Sequence, residues 1–186
     1  MNRCDWVTDD LLYIHYHDFE WGRPVFDDQK LFEMLTLEGA QAGLNWLTIL
    51  KRRENYRVAF DNFDVEKIAR YREEKVQELL RNEGIIRNER KIRSTIRNAQ
   101  AFIEIKKKYG SFSSFLWGFV DGQPIKNEWK TSTDVPSQTE QSHKISKELK
   151  RHGFSFVGPT IVYAYMQAVG IVNDHIQSCF CYEEIM

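Results

Sequence analysis

Apolar residues recur along this chain at intervals of three and four positions, which is the spacing of one face of an α-helix. One such stripe runs from Leu31 to Ala42, a second covers residues 68–80 and a third covers residues 92–103. No run of alternating apolar and polar residues is long enough to predict a β-strand, and no internal repeat is visible. The pattern therefore predicts an all-α fold.

Residues that favour helix ends mark the limits of these elements. Asp27 precedes the first stripe, where its side chain can cap the helix, and Gly110 follows the third, where glycine readily ends a helix. Pro159 predicts the first turn of another helix, and a shorter helix is expected over about 142–152. The polar stretch 127–141 predicts a long surface loop.

Length and composition are those of one folding unit. The chain has 186 residues, of which 42% are hydrophobic and 28% charged, so it can bury a core and does not have the composition of a disordered chain. The first ten residues are acidic rather than apolar. The most apolar window, Ile161–Val172, is too short to span a bilayer and contains Gln167. We therefore expect a soluble, cytoplasmic protein with no membrane partner.

Charge is unevenly distributed although the net charge is only −1. From Arg87 to Lys108 there are eight basic residues against two acidic ones. One basic segment in a nearly neutral protein favours binding of a polyanion through one face. A solvated helix face explains the charges equally well at this point.

Residues of the types that bind zinc lie near the two ends of the chain: Cys4, His17, His175 and Cys179. Two thiolates and two imidazoles satisfy a closed tetrahedral zinc site, which would be structural and would tie the chain ends together. The alternative is that the cysteines are small buried hydrophobes. Cys181 and His15 can each replace a member of the set, and local spacing does not decide between them.

Glu38 occupies a position that the apolar stripe should give to an apolar residue, since it follows Met34 and Leu35 by four and three positions. A carboxylate there is unfavourable to bury unless it is paired, and such groups concentrate in functional pockets. Aromatic residues are dense around it in the sequence: Trp6, Tyr13, Tyr16, Trp21 and Trp46. Together they can form a cage for a flat, partly cationic heterocycle. The alternatives are a Glu paired with an Arg and an aromatic-rich core.

The helical pattern breaks at Gly43 and leaves Leu44 at a bend. An exposed Leu on a tight turn can act as a wedge between base pairs. The alternative is a Leu that anchors the turn in the core.

Four longer runs carry a family resemblance. They are CDWVTDDLLYIHYHDFEWG at 4–22, LFEMLTLEGAQAGLNWLTILKRRENYR at 31–57, GIIRNERKI at 84–92 and GFSFVGPTIVYAYMQAVGIVNDH at 153–175. These runs resemble the type I DNA-3-methyladenine glycosylases of bacteria, a family within the helix-hairpin-helix glycosylase superfamily. The resemblance implies one glycosylase domain over residues 1–186, with a helix-hairpin-helix region at about 79–92 and a structural Zn²⁺ that joins segments 4–17 and 175–179.

The resemblance also implies roles for the candidate residues. It selects the ligand set Cys4, His17, His175 and Cys179 over His15 and Cys181. Glu38 would hydrogen-bond the extruded base, Trp46 would stack on it and Tyr16 would line the pocket. The aromatic wall would be completed by Trp6, Tyr13 and Trp21.

The implied activity is that of a monofunctional DNA glycosylase in base excision repair. The protein would flip 3-methyladenine out of double-stranded alkylated DNA and hydrolyse its N-glycosidic bond, without lyase activity. Gly84 and Arg87 would contact phosphates, while Gly43 and Leu44 would fill the gap left by the flipped base. We expect Glu38 to be ionised, so that it favours the cationic methylated base, and we expect a monomer.

Two departures from the superfamily pattern accompany the resemblance. The hairpin lacks the Leu-Pro-Gly-Val-Gly form of many members, and no aspartate lies between Asp64 and Asp121, where most members carry a catalytic one. Two rival hypotheses follow: a zinc-stabilised helical protein that binds DNA without excising a base, and a helical protein-interaction module.

Overall fold

The structure is a computed structural model that describes residues 1–185. Within that range the α-helices are α1 (Leu11–Phe19), α2 (Asp28–Gln41), α3 (Trp46–Lys51), α4 (Arg53–Ala59), α5 (Val65–Ile68), α6 (Glu73–Leu80), α7 (Glu89–Tyr109), α8 (Phe112–Trp117), α9 (Glu140–Arg151), α10 (Pro159–Ala168) and α11 (Cys181–Glu184). The fold is mostly helical, as the three-and-four spacing of apolar residues predicts.

The expected capping residues set the ends of the long helices. The Asp27 side chain accepts a hydrogen bond from the Lys30 N–H at the start of α2. Gly110, with φ of 85°, ends α7, and Pro159 is the first residue of α10. These three predictions are confirmed, because each depends only on residues within one turn of the helix end.

Helix α2 lies at the centre of the molecule. Every residue from Leu31 to Ala40 is buried, and the helix packs against α3, α7, α8 and α10. Aromatic rings fill the spaces around it, with the Phe32 and Phe102 rings in edge contact at 5.2 Å. The interior position of Glu38 follows from this packing, since no face of α2 is open to solvent along that stretch.

A two-stranded parallel sheet corrects the all-α prediction. Strand β1 (Ile125–Lys126) pairs with β2 (Val172–Asn173), with Ile125 opposite Val172. Two residues are too few to produce an alternating pattern, so this pairing leaves no periodic signal in the sequence. Its consequence is that the segment after β1 is held beside the segment after β2.

Two boundaries differ from the sequence-based prediction. The stripe over 68–80 is divided into α5 and α6, because residues 69–72 leave the helical path between them. The predicted loop over 127–141 ends at Thr139, whose side chain accepts the Ser142 N–H and starts α9 two residues earlier than expected.

Over residues 1–185, no helix combines the length and apolar character needed to cross a bilayer.

Candidate active site and DNA-binding surface

A cavity of roughly 350 Å³ opens between α1, α2, α3, α10 and the segment that follows β1. The six site residues expected from the sequence all line it: Trp6, Tyr13, Tyr16, Trp21, Glu38 and Trp46. Six further lining residues were not expected: Gln41, Ser132, Val135, Ala164, Gln167 and Asp174. A volume of this size fits a small flat ligand.

Glu38 reaches this cavity from the last turns of α2 and is 4% exposed. Over residues 1–185 its carboxyl group has neither a hydrogen-bond donor nor an ion-pair partner, so the expected alternative of a Glu paired with an Arg does not hold. Burial alone raises its pKa to about 8. Burial therefore favours the protonated carboxyl group in the protein alone at neutral pH, whereas the ionised form expected in the presence of a cationic base stays a prediction.

Aromatic rings line the cavity together with Glu38 and contact one another in two groups. The Trp6 ring lies 5.0 Å from both the Tyr13 and Trp21 rings, and Tyr16 lies 5.5 Å from Trp46. Trp46 Nε1 is buried and, among the described residues, has no hydrogen-bond acceptor. The wall can stack on a flat ring, while unpaired polar groups remain available to bind its edge.

Asp174 fixes the opposite side of the cavity. Its carboxylate accepts four side-chain hydrogen bonds, from Asn127 at 2.6 Å, Trp129 at 2.8 Å, Tyr163 at 2.5 Å and Gln167 at 2.9 Å. Two donors lie on the segment after β1 and two on α10, so Asp174 ties that segment over the pocket. Asp174 was not predicted, because its sequence neighbours Asn173 and His175 are polar as well and nothing local distinguishes it.

The four candidate metal ligands converge at one buried point, with their ligand atoms within 4.8 Å of one another. Cys4 Sγ lies 3.6 Å from His175 Nδ1, and Cys179 Sγ lies 3.5 Å from both His17 Nε2 and His175 Nδ1. Tetrahedral zinc, with bonds of about 2.3 Å to sulfur and about 2.0 Å to nitrogen, sets sulfur and nitrogen roughly 3.5 Å apart. The donor set and its spacing therefore fit zinc.

The outer nitrogen of each histidine in the cluster also has a partner. His17 Nδ1 lies 2.7 Å from Asp18 Oδ1, and His175 Nε2 lies 3.1 Å from the Trp21 carbonyl oxygen. Partners of this kind fix the tautomer that turns the other nitrogen towards a metal. His15 lies at the surface near Glu20, and the Cys181 thiol faces the Asp18 carbonyl at 3.9 Å. The geometry thus brings together the set that the resemblance selects.

The metal-ligand cluster and the cavity share a wall. The Trp6 ring contacts the His17 ring at 5.2 Å, and the Trp21 ring contacts the His175 ring at 4.7 Å. Both tryptophans also line the cavity. An interaction that holds the His17 and His175 rings in place therefore also holds Trp6 and Trp21 on one side of the cavity.

The turn at 42–45 connects Gln41 at the end of α2 to Trp46 at the start of α3, both of which line the cavity. Gly43 has φ of +80°, a conformation that favours glycine, and a Cβ placed there would meet nothing within 4 Å. Leu44 is 41% exposed. The alternative that Leu44 anchors the turn in the core is therefore wrong.

The hairpin between α6 and α7 is held by side chains from α4 and from Arg52, the residue that precedes α4. Arg52 donates to the Glu83 carbonyl at 2.8 Å, Asn55 donates to the Gly84 carbonyl at 3.2 Å, and the Tyr56 hydroxyl accepts the Ile86 N–H. Gly84 lies so close to Asn55 that a Cβ would approach its side chain to 3.0 Å. The glycine is needed for this close approach.

The backbone N–H groups of the hairpin are only partly available for a phosphate. That of Gly84 already donates to Asn82 Oδ1 at 2.8 Å, so it is not free for the phosphate contact expected there. Among the described residues, the N–H groups of Arg87, Glu89 and Arg90 have no acceptor and lie at the start of the 21-residue helix α7. A helix N-terminus of this kind is suited to an anion.

Only part of the basic segment 87–108 faces outward as free charge. Arg93 pairs with Glu73 and Glu89, and Lys91 turns inward. Over residues 1–185, the exposed side chains of Arg87, Arg90 and Arg97 make no ion pair. Arg87 and Arg90 carry two of the free N–H groups themselves, whereas Arg97 lies about two helical turns further along α7.

Comparisons with known proteins agree over nearly the whole chain. A family model described as methyladenine glycosylase matches residues 6–182. The DNA-3-methyladenine glycosylase 1 of Escherichia coli (strain K12) is 50% identical over 182 residues, covering 98% of this chain and 97% of that protein. The crystal structure of a 3-methyladenine DNA glycosylase I is 53% identical and has a TM-score of 0.95, covering 97% of this chain and 99% of the other. A variant of 3-methyladenine DNA glycosylase I in complex with 3-methyladenine is 37% identical and has a TM-score of 0.94, covering 97% of each chain.

Proposed function

Because the chain belongs to the methyladenine glycosylase family, we propose that it excises 3-methyladenine from alkylated DNA by hydrolysing the bond between the base and deoxyribose. The observation that carries this proposal is a buried carboxyl group, Glu38, with no partner inside a wall of aromatic rings. A relative has been crystallised with 3-methyladenine, which is a ligand of the size and shape that this cavity accepts.

The substrate itself supplies much of the driving force. Methylation at N3 places a positive charge on the adenine, so the base leaves as a neutral molecule and the glycosidic bond is weak. Positioning of the flipped nucleotide and of water at the sugar carbon can then replace strong acid catalysis. No lysine of residues 1–185 lines the cavity, which supports hydrolysis rather than a Schiff-base step with strand cleavage.

Glu38 supplies the selectivity in this proposal. A cationic purine in the pocket stabilises the ionised carboxylate, so binding of the substrate drives Glu38 to release its proton. An unmodified adenine brings no charge and would meet a protonated carboxyl group instead. Selection therefore depends on the charge of the base as well as on its shape.

We propose that DNA is held by two parts of the surface. Phosphates bind the free N–H groups and cations between Arg87 and Arg90, and Leu44 fills the stack where the base has left. Binding should then weaken as salt rises, because counterions are released from the phosphates. A slope near zero in a plot of binding constant against salt concentration would contradict the phosphate contacts.

We also propose that the cluster of Cys4, His17, His175 and Cys179 holds a structural Zn²⁺. When bound, zinc cross-links the two end segments of the chain. With four protein ligands the metal has no open position for a catalytic water, so its contribution is to stability.

The test is release of free 3-methyladenine from alkylated duplex DNA, followed by chromatography of the free bases. We expect release by the unaltered protein and a loss of roughly a hundredfold or more in Glu38→Gln, since the amide cannot become a carboxylate. Glu33→Gln is the matched control on the same helix, because Glu33 pairs with Arg57 outside the cavity. Release at the normal rate by Glu38→Gln would remove Glu38 from the mechanism, and no release by any form would favour a DNA-binding protein without excision.

A further inference from the structure

Lys91, in the first turn of α7, has its charge directed into the protein rather than towards solvent. Its Nζ donates to the carbonyl oxygens of Ala40 and Ala42, both at 2.9 Å. These two carbonyls belong to the C-terminal end of α2, 49 and 51 positions earlier in the chain. Lys91 therefore connects two elements that the sequence keeps far apart.

The acceptors explain why a cation is placed there. Helix α2 ends at Gln41, and Ala42 leaves the helical conformation with ψ of 114°. The last carbonyls of a helix have no partners within it and carry the negative end of its dipole. An ammonium group bonded to two of them fixes the direction in which the chain leaves α2.

What leaves α2 at that point is the turn that carries Leu44. Within the turn, the Leu44 N–H donates to the Gln41 carbonyl at 2.6 Å and the Ala42 N–H donates to the Gly39 carbonyl at 3.4 Å. A Cβ placed on Gly43 would meet nothing within 4 Å. Gly43 gives the turn conformational freedom, which the bond from Lys91 to the Ala42 carbonyl limits. The exposed Leu44 thus takes its direction from a residue on another helix.

On its other side Lys91 is joined to the hairpin. Its own N–H is accepted by the side chain of Asn88, the residue that caps α7, at 3.1 Å. The free N–H groups of Arg87, Glu89 and Arg90 belong to the same turn of chain. Lys91 therefore connects the start of α7 to the turn at 42–45, which carries Leu44.

We propose that Lys91 is a positioning residue that couples phosphate binding at the hairpin to insertion of Leu44 into the duplex. This inference rests on the proposed function, because it concerns how the substrate base is extruded. Lys91 does not line the cavity, so it acts on extrusion of the base from the duplex and leaves recognition of the extruded base unchanged.

The experiment compares Lys91→Met with Lys91→Arg, measuring two quantities for each. The first is the single-turnover rate of 3-methyladenine release from alkylated duplex DNA, and the second is the affinity for free 3-methyladenine. Loss of two charge-assisted hydrogen bonds should lower the duplex rate of Lys91→Met by about tenfold to a hundredfold. Affinity for the free base should stay unchanged, and Lys91→Arg should recover most of the rate, since its guanidinium can still donate to both carbonyls.

Lys108→Met, which removes the same charge from the exposed far end of α7, is the matched control and should release the base at the normal rate. Thermal melting checks that each variant is folded. A normal duplex rate in Lys91→Met, an equal fall in free-base affinity, or no recovery in Lys91→Arg would overturn the role of Lys91. Failure of the unaltered protein to release any base would instead overturn the proposed function itself.

Discussion

The carboxyl group of Glu38 lowers the stability of the folded protein as the pH rises. Its pKa lies near 8 in the folded protein against 4.5 for an ordinary Glu, so the folded state retains a proton that the unfolded chain loses between those values. Folding is therefore disfavoured progressively from pH 4.5 to 8. Above pH 8, loss of the Glu38 proton lowers the free energy of unfolding by roughly 5 kcal/mol.

We predict that Glu38→Gln melts at nearly the same temperature as the unaltered protein near pH 4.5 and at a higher one at pH 8. The amide has the shape of the protonated acid and no charge to bury, so the difference should reach about 10 °C. Melting curves at a series of pH values measure it. A difference that does not change with pH would mean that Glu38 has an ordinary pKa and is solvated.

Unlike Glu38, which is buried without a hydrogen-bond donor among the described residues, Asp174 is buried with four donors on its carboxylate. We predict that Asp174→Asn lowers the free energy of unfolding by about 2–4 kcal/mol, because the new NH₂ group faces two donors and leaves them without acceptors. Affinity for 3-methyladenine should fall as well, since the segment with Ser132 and Val135 loses its attachment. Unchanged melting and base affinity together would contradict this role.

These two acids show how far single residues can be predicted from the sequence. Glu38 was found because it interrupts an apolar stripe, which is a local property. Its protonation was not, because that depends on the absence of a donor among residues brought near by folding. Asp174 was missed because two of its donors come from residues 127–129, some 45 positions earlier, and the other two from α10, and no local pattern links them.

At the scale of elements, three positions show two different reasons for a glycine: a lack of space for a Cβ and a backbone with positive φ. Gly170 lies two residues after the end of α10 and has φ of +72°. A Cβ there would lie 2.3 Å from the backbone of Arg23. Gly43 has a similar φ with open space around it, and Gly118 has open space and φ of −59°. Gly170 therefore has both requirements, Gly43 has only the conformational one, and Gly118 has neither.

We predict a ranked series of stabilities for the three alanine variants, measured by chemical denaturation. Gly170→Ala should lose more than about 3 kcal/mol, since backbone must move, and Gly43→Ala about 1 kcal/mol from the left-handed conformation alone. Gly118→Ala should be neutral or slightly stabilising. Equal losses at Gly170 and Gly43 would show that the contact with Arg23 is not a constraint.

The elements themselves were largely predictable where their determinants are local. Stripes and caps located α2, α7 and α10, whereas β1 and β2 each comprise two residues and pair across 47 positions. The turn at 42–45 was found from one glycine. The hairpin's support by Arg52, Asn55 and Tyr56 was not, because those side chains come from about 30 positions earlier.

At the scale of the whole molecule, the Cys/His cluster joins segments 171 positions apart. We predict that a strong chelator lowers the melting temperature, because zinc bound only to the folded chain stabilises it by mass action. Metal content and melting should both fall in Cys4→Ser. Cys181→Ser is the control and should keep its metal, and metal loss there alone would move the ligand assignment to the neighbouring group of His17, Asp18 and Cys181.

The charge distribution also takes its final form only in the folded molecule. The excess of basic residues over 87–108 was read from the sequence, but Arg93 is neutralised by Glu73 from outside the segment and Lys91 is withdrawn from the surface. Of the basic residues that make no ion pair in the described part of the chain, Arg87 and Arg90 lie at the hairpin, whereas Lys106 and Lys108 lie at the far end of α7. Cytoplasmic location and the monomeric state stay predictions.

The shared wall of Trp6 and Trp21 gives the protein an internal optical reporter. Each indole touches an imidazole of the cluster on one side and faces the cavity on the other, so its emission depends on both surroundings. Loading of the metal and arrival of a purine should each alter the same fluorescence. Both events can therefore be followed in solution without attaching a dye.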